Sequence, residues 1–220
     1  MNFDRIFEYR VILLNGFLIT LRLSAIAIVS GTVLGLVMGV LRTSKNKFIA
    51  LPVRIYVEIF RGTPLLIQLF MAFYGIPYLG RRLYLDMNIS IDAATIAVFT
   101  LYGGAFVAEI IRGGIQSIPK GQTEAAHSIG LSQLQTIIWV ILPQAFKVSL
   151  PPLIGFYLAT IKDTSIASII GYSELVKEAQ SLANVISAPF EIYIVVALMY
   201  FIICYPLSFM VKRIEQRRAY

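Results

Sequence analysis

The fold is decided by the apolar run VILLNGFLITLRLSAIAIVSGTVLGLVMGVL at residues 11–41, in which Arg22 is the only charged residue. A helix needs roughly 20 mostly apolar residues to cross a bilayer. Four further stretches meet this requirement, at 53–79, 91–115, 134–152 and 189–211. The sequence therefore predicts an all-α, polytopic transmembrane bundle of about five spanning helices, with residues 1–220 as a single domain.

The composition supports lipid as the solvent of this chain. Hydrophobic residues make up 58% and charged residues 14%, and the mean hydropathy is +0.77. A soluble domain carries about a quarter charged residues. The net charge of +7 comes from bases in short loops, which is not the pattern of a nucleic-acid-binding surface. The single cysteine, Cys204, excludes an intrachain disulfide and a four-ligand zinc site.

The distribution of bases predicts the sidedness. If the N-terminus is outside, the cytoplasmic segments hold ten bases, among them Lys45, Arg217 and Arg218, and two acids, whereas the outer segments hold six bases and eight acids. Cytoplasmic loops of membrane proteins carry the excess of Lys and Arg. We therefore expect the N-terminus outside and Tyr220 in the cytoplasm.

The segment IQSIPKGQTEAAHSIGLSQLQTIIWVILPQAF, residues 115–146, lies between the third and fourth spans on the predicted cytoplasmic side. It predicts a short helix with Thr123 as N-cap, good helix formers at Glu124, Ala125 and Ala126, and a break at Gly130. A short helix with small residues on one face can dock into a groove of a partner. A solvated loop is the alternative.

This segment resembles the EAA loop of ABC importer permeases. Glu124, Ala125, Ala126 and Gly130 match that pattern, and Val140-Ile141-Leu142-Pro143 completes it with Val in place of Ile. Three other stretches are similar to the polar amino-acid permeases of the histidine, glutamine and arginine type: YVEIFRGTPLLIQLF from Tyr56, GAFVAEIIRGGIQSI from Gly104 and IKDTSIASIIGYSEL from Ile161.

The resemblance implies a type I ABC importer subunit in a bacterial inner membrane that carries a polar amino acid. It implies a coupling helix at about residues 119–134, which docks on ABC ATPase subunits. It also implies a second permease, identical or paralogous, and an extracellular or periplasmic substrate-binding protein. The chain has no GxxxxGK[ST] phosphate loop. We therefore expect no cofactor and no catalytic residue here, with ATP and Mg used by the partner.

Polar residues inside apolar spans are functional candidates because they are costly in lipid. Lys162, Asp163, Thr164 and Ser165 are expected to interrupt the fourth span near mid-depth if that helix restarts at Pro151-Pro152. Asp163 would bind a substrate ammonium, and Thr164 and Ser165 a carboxylate. The alternative is that Lys162 and Asp163 form a charge pair on the outer surface.

A second break is predicted at Arg61-Gly62-Thr63-Pro64, where Thr63 and Gln68 could hydrogen-bond substrate and Tyr102 could form a pocket wall. Glu58 and Arg61 are three residues apart and can pair on one helix face.

Glu109 and Arg112 repeat this spacing. Ion pairs that hold helices or form a gate are favoured over substrate contact for all four. The acids at positions 58, 109 and 163 favour a basic substrate such as arginine, lysine or histidine.

Several alternatives remain open at this point. Residues 165–187 either complete the fourth span or lie along the outer surface. A secondary amino-acid transporter would need no ATPase, and an accessory scaffold would need no transport path. A membrane-bound hydrolase is disfavoured because His127, the only histidine, has no suitably placed nucleophile. The glycines at 31, 35 and 39 line one helix face and predict close helix packing.

Overall fold

The computed structural model describes residues 3–44 and 46–216, and this part of the chain is helical throughout its regular structure. Lys45, Arg217, Arg218 and Tyr220, which entered the prediction of sidedness, lie outside the described residues. The helices are α1 Phe3–Glu8, α2 Arg10–Arg42, α3 Lys47–Gly62, α4 Leu65–Phe70, α5 Ile76–Arg82, α6 Ile91–Ser117, α7 Lys120–Ser128, α8 Gln133–Gln135, α9 Leu142–Asp163, α10 Leu175–Ile186 and α11 Pro189–Gln216.

Two π-helical turns connect helices without interrupting the chain's helical path. The π-helical turn Met71–Gly75 joins α4 to α5, and a second one, Thr136–Ile141, joins α8 to α9. Each is followed within two residues by a proline, Pro77 or Pro143. A π-turn changes the hydrogen-bond register where a proline N–H is missing. Pro143 lies in the first turn of α9.

Four segments are long and apolar enough to cross a membrane: Arg10–Arg42, Ile91–Ser117, Gln133–Ile170 and Pro189–Phe209. The pair formed by α3 and the segment Leu65–Arg82 also qualifies, although its two parts are bent by 106° at the intervening break. The described part thus has four spans, or five if the bent pair is counted as one. The predicted all-α transmembrane bundle is confirmed.

Helices α2 and α6 pack closely because glycines remove side chains from their contact. A Cβ on Gly35 would lie 2.4 Å from Cβ of Val107, and one on Gly31 would lie 3.2 Å from the backbone of Gly103. Gly39 makes a similar approach to Ala108. Small residues allow the two backbones to approach closely. In lipid, where the hydrophobic effect does not drive helices together, the van der Waals contacts of this close packing stabilise the pair. The predicted packing role of these glycines is confirmed.

We expect Gly35→Ala to destabilise the protein by about 1–3 kcal/mol, because the new methyl must push α2 away from Val107. The matched control is Gly155→Ala, since a Cβ at Gly155 meets nothing within 4 Å. Thermal unfolding in detergent should show a lower midpoint for Gly35→Ala and an unchanged or higher one for Gly155→Ala, because alanine favours a helix more than glycine does. Equal midpoints for the two variants would contradict the packing argument.

Charged contacts mark the two ends of the α2–α6 pair. Arg22 lies 3.4 Å from Asp92 at one end, and both side chains are exposed. At the other end Arg42 binds Glu58 and Glu109. Arg22 and Arg42 are twenty residues apart on α2, which is about 30 Å of helix. Arg42 directly follows the apolar run of α2 and marks one border of the hydrocarbon, whereas that run continues past Arg22 to residue 11.

The fourth span is continuous where the sequence predicted a restart. Pro151 and Pro152 lie inside α9, which runs unbroken from Leu142 to Asp163. The prediction of a break there is wrong, because packing against α6 holds the helix together. Ser149 donates to the carbonyl of Ile110 at 3.3 Å, just before the proline pair. Transmembrane helices tolerate prolines when neighbouring helices support them.

Residues 165–187 were expected either to complete the fourth span or to lie outside it, and each alternative holds for one part of the segment. The 3-10 turn Thr164–Ile170 completes the fourth span, and α10 is a separate twelve-residue helix. A helix of this length covers about 18 Å and cannot span a bilayer. It packs on the first turns of α2, where Gly16 approaches Glu178. Gly16 precedes Arg22, so α10 lies at the end of the bundle that holds Arg22 and Asp92, away from Arg42.

A buried carboxylate holds α10 in place. Glu174 is the N-cap of α10, and its side chain accepts from the backbone N–H of Lys177 at 2.9 Å. Thr20 and Tyr200 donate to the same carboxylate at 3.4 and 3.3 Å. Burial is the largest effect on this group and raises the pKa of Glu174 above its usual range. These contacts tie α10 to α2 and α11.

Candidate functional site

The first break in a span lies between α3 and α4. Helix α3 ends at Gly62, and Pro64 cannot donate a hydrogen bond. Gln68 compensates, because its Nε2 lies 2.9 Å from the carbonyl of Phe60, 3.1 Å from that of Thr63 and 2.9 Å from Thr63 Oγ1. The predicted break is present. Thr63 and Gln68, which we expected to contact substrate, bind to each other and to the freed backbone.

A second irregularity lies at the end of α9, where the α-helix changes to a 3-10 helix without leaving the span. Lys162 is exposed, Asp163 is half-buried and Thr164 is fully buried. The hydroxyl of Thr164 donates to Ile161 and that of Ser165 to Lys162, both at 2.7 Å. The sequence predicted an interruption of the span at these residues, whereas the structure has a change from α- to 3-10-helix after Asp163.

The depth of Asp163 follows from the contact between α9 and α6. Ser149 is level with Ile110, next to the border marked by Arg42. Fourteen residues separate Ser149 from Asp163, which corresponds to about 21 Å. Asp163 therefore lies beyond the midpoint, on the side of Arg22 and Asp92. The sequence predicted Asp163 near mid-depth on the assumption that the helix restarts at Pro151. The structure has no such restart, so Asp163 lies further along the span.

Three aromatic rings from α6 and α9 form a continuous surface, here called the aromatic wall. Phe106 stacks on Phe156 with ring centroids 5.3 Å apart, and Tyr102 lies 4.7 Å from Phe106 and 6.4 Å from Phe156. Asp163 follows Phe156 by seven residues on α9 and therefore lies on the same side of that helix, two turns further along. At the other end the guanidinium of Arg61 lies 5.5 Å from the centroid of Phe106. The wall thus connects an acid to a base.

The sequence predicted only Tyr102 in this wall. Phe106 follows Tyr102 by four residues and therefore lies on the same face of α6, so its position was available from spacing. Phe156 comes from α9, and nothing local in the sequence pairs it with Phe106.

A five-residue ion-pair group, here called the Arg42 cluster, lies at the end of the wall where Arg61 contacts Phe106. It consists of Arg42, Glu58, Arg61, Glu109 and Arg112. Glu109 accepts from Arg112 at 2.9 and 2.6 Å and from Arg42, and it lies 3.6 Å from Arg61. Three bases therefore share one carboxylate.

The pairing within the Arg42 cluster differs in part from the prediction. The pair Glu109–Arg112 is confirmed, but Glu58 binds Arg42 at 2.9 Å, and the described ion pairs include none between Glu58 and Arg61. The prediction of that pair is wrong because Arg42, on a different helix, reaches Glu58. The three acids that favoured a basic substrate are accordingly not equivalent, since Glu58 and Glu109 are both bound by arginines.

The segment between the third and fourth spans forms a compact, exposed corner. Helix α7 runs from Lys120 to Ser128, with Glu124 and Ala125 exposed and Ala126 buried. Gly130 has φ +85°, a left-handed conformation that favours glycine. The predicted break at Gly130 is therefore confirmed.

Two predictions about this corner are wrong. Thr123 is not the N-cap, because α7 begins directly after Pro119. The helix expected at 119–134 is two helices, since Ser132 and Gln135 form a capping box that starts α8. His127 is used structurally, with Nδ1 3.0 Å from the carbonyl of Leu131. Within residues 3–44 and 46–216 no group of three or more metal-ligating side chains occurs.

A helical membrane protein with a polar break in one span, a polar change of helix type in another and an exposed helical corner between two spans has the features of a transporter's membrane subunit. Residues 31–220 match the family described as "Binding-protein-dependent transport system inner membrane component". The chain belongs to this family.

Similar proteins refine the assignment. The chain is 38% identical, over 96% of each chain, to a probable glutamine ABC transporter permease of Bacillus subtilis strain 168. It is 41% identical to an L-cystine transport system permease of the same organism, over 94% of this chain and 86% of the relative. A crystal structure described as "an amino acid ABC transporter with histidines" superposes with a TM-score of 0.88, at 34% identity over 99% of each chain. The protein is an amino-acid ABC importer permease of the bacterial inner membrane.

Proposed function

We propose that this permease imports a polar amino acid by alternating access, driven by separate ABC ATPase subunits that bind ATP and Mg. A second permease, identical or paralogous, completes the pathway, and an extracellular or periplasmic binding protein delivers the substrate. The single observation that carries the proposal is the aromatic wall between Asp163 and Arg61, inside the membrane span. Lipid does not satisfy such polar groups, whereas a translocation pathway does.

One end of the wall suits the ammonium group of an amino acid, which Asp163 receives. Thr164 and Ser165, which we expected at the carboxylate, already donate to backbone carbonyls. Because the ammonium and the carboxylate of an amino acid share one carbon, Arg61 at the other end of the wall meets the carboxylate only after the substrate has moved along the wall. The hydrocarbon part of the substrate packs on Phe106 and Phe156.

A neutral polar side chain fits this arrangement better than the basic one favoured by the sequence. Two of the three acids behind that preference are bound in the Arg42 cluster, which holds three bases and two acids. A cationic side chain moving past the cluster would meet net positive charge. The glutamine permease among the relatives supports the same choice.

Competition for uptake tests the substrate class. Cells carrying the complete importer should lose uptake of radiolabelled glutamine when unlabelled glutamine or asparagine is added, and much less so with arginine or lysine. The expected preference is at least about tenfold, the effect of one unfavourable charge contact of about 1.4 kcal/mol. Stronger competition by arginine or lysine than by glutamine would restore the basic substrate predicted from sequence.

The exposed corner that contains α7 offers the ATPase a surface to bind. We propose that α7 is cytoplasmic and docks in a groove of the ATPase through its exposed Glu124 and Ala125, with the N-terminus of the chain outside and the C-terminus in the cytoplasm. Ala126 is buried against the permease itself, and Gly130 sets the direction in which α7 leaves the span. The docking of a short exposed helix in a partner's groove is a recurring mode of recognition.

A further inference from the structure

Helix α3 has three distinct faces. Its buried face packs Val53 and Val57 against α6. Its second face carries bases at seven-residue intervals, Lys47, Arg54 and Arg61, which recur on one side of a helix. Its third face is apolar and exposed over most of its length. That face consists of Phe48 (90% exposed), Leu51 (56%), Ile55 (50%) and Ile59 (55%).

An open cavity of about 590 Å³ lies between α3 and the ends of α2 and α6. Its lining consists of Arg42, Lys47, Ala50, Leu51, Arg54 and Arg112. Four of these six residues are bases, none is an acid, and the other two are apolar. The cavity is therefore a basic recess with an apolar wall, and we call it the basic recess.

The positive charge of the basic recess exceeds what the protein supplies to balance it. Arg42 and Arg112 are bound to Glu109, and Arg42 also to Glu58. Among the ion pairs and hydrogen bonds of the described residues, none involves the side chain of Lys47 or Arg54. Like charges held together around a partly apolar cavity repel one another, and this repulsion is relieved by an anion.

The position of the recess identifies the source of that anion. Arg42 marks one border of the roughly 30 Å hydrocarbon layer, so the recess lies at the depth of lipid headgroups. The exposed apolar face of α3 begins beside it and runs along the helix from Phe48 to Ile59. A ligand with a phosphate in the recess and an acyl chain along this face satisfies both surfaces. Basic recesses between spanning helices have this chemistry.

We propose that the basic recess binds the headgroup phosphate of an anionic phospholipid, with Lys47 and Arg54 as its principal contacts and an acyl chain along the apolar face of α3. The bound lipid joins the ends of α2, α3 and α6. This proposal does not depend on which amino acid is transported.

Tryptophan quenching by brominated lipids tests the proposal on the full-length chain. The chain has one tryptophan, so Trp139→Phe with Phe48→Trp places a single reporter at the mouth of the recess. In mixed bilayers, brominated phosphatidylglycerol should quench this reporter more strongly than brominated phosphatidylcholine. Lys47→Gln with Arg54→Gln should lower the relative affinity for phosphatidylglycerol at least about fivefold, since each surface base contributes about 1 kcal/mol.

The matched control is Arg81→Gln with Arg82→Gln, which removes the same charge at the end of α5. This control should keep the preference for phosphatidylglycerol. Equal quenching by the two lipids in the parent protein, or an equal loss in the two double variants, would overturn the proposal. Loss of the preference in excess inorganic phosphate would also overturn it, because the site would then bind free phosphate. Persistence of the preference in phosphate supports a lipid.

Discussion

Asp163→Asn is expected to lower the rate of amino-acid uptake by about 10- to 100-fold, because it removes the charge that binds the substrate ammonium. A hydrogen bond to a charged group contributes about 1.5–3 kcal/mol, which corresponds to this range. The substitution keeps the size and shape of the side chain at the half-buried position. Assembly of the complex and its basal ATP hydrolysis should therefore be unchanged, and uptake of radiolabelled glutamine by membrane vesicles measures the effect.

Asp92→Asn is the matched control for this experiment. It makes the same chemical change, but Asp92 is exposed and paired with Arg22 at 3.4 Å, and such pairs contribute about 0–1 kcal/mol. Uptake in this variant should stay within about fivefold of the parent. If Asp163→Asn transports as well as Asp92→Asn with an unchanged substrate preference, Asp163 does not bind the substrate.

Gly130→Val is expected to separate ATP hydrolysis from transport. A β-branched residue is an outlier at φ +85°, so the turn after α7 must rearrange and tilt the exposed helix. A Cβ at this position would meet nothing within 4 Å, so the effect comes from the backbone alone. Amino acid transported per ATP hydrolysed in proteoliposomes should fall about tenfold or more, as a misplaced coupling contact loses at least about 1.4 kcal/mol.

Two further variants complete the coupling test. Gly113→Val introduces the same side chain into α6, also with no atom within 4 Å of the new Cβ, and should keep normal coupling. Glu124→Gln alters an exposed carboxylate for which the described residues provide no ion pair, so any loss of coupling must come from a partner. Normal coupling in both Gly130→Val and Glu124→Gln would show that α7 does not transmit the ATPase's motion.

Features that depend on local chemistry were predictable from the sequence. The apolar runs gave the spans, and the missing N–H of Pro64 predicted the break after α3. The glycines spaced four residues apart on α2 predicted its close approach to α6. Gly130 ends α7 because a left-handed residue is needed there. In each of these cases the cause lies within a few residues of its effect.

Features that depend on contacts between distant segments were not predictable. Pro151 and Pro152 looked like a break, but packing of Ser149 on α6 keeps α9 continuous. Glu58 and Arg61 have ideal spacing for a pair, yet Arg42 reaches Glu58 from another helix. The stacking of Phe156 on Phe106 joins residues fifty positions apart. The Arg42 cluster and the aromatic wall are therefore products of the tertiary structure.

The most direct test of the account is uptake by proteoliposomes that contain the purified permease with its ATPase, supplied with the binding protein and radiolabelled glutamine. We predict accumulation against the glutamine gradient when ATP is present on the side of α7. We predict none when ATP is replaced by a proton or sodium gradient. Accumulation driven by an ion gradient without ATP would contradict the account and identify the protein as a secondary transporter.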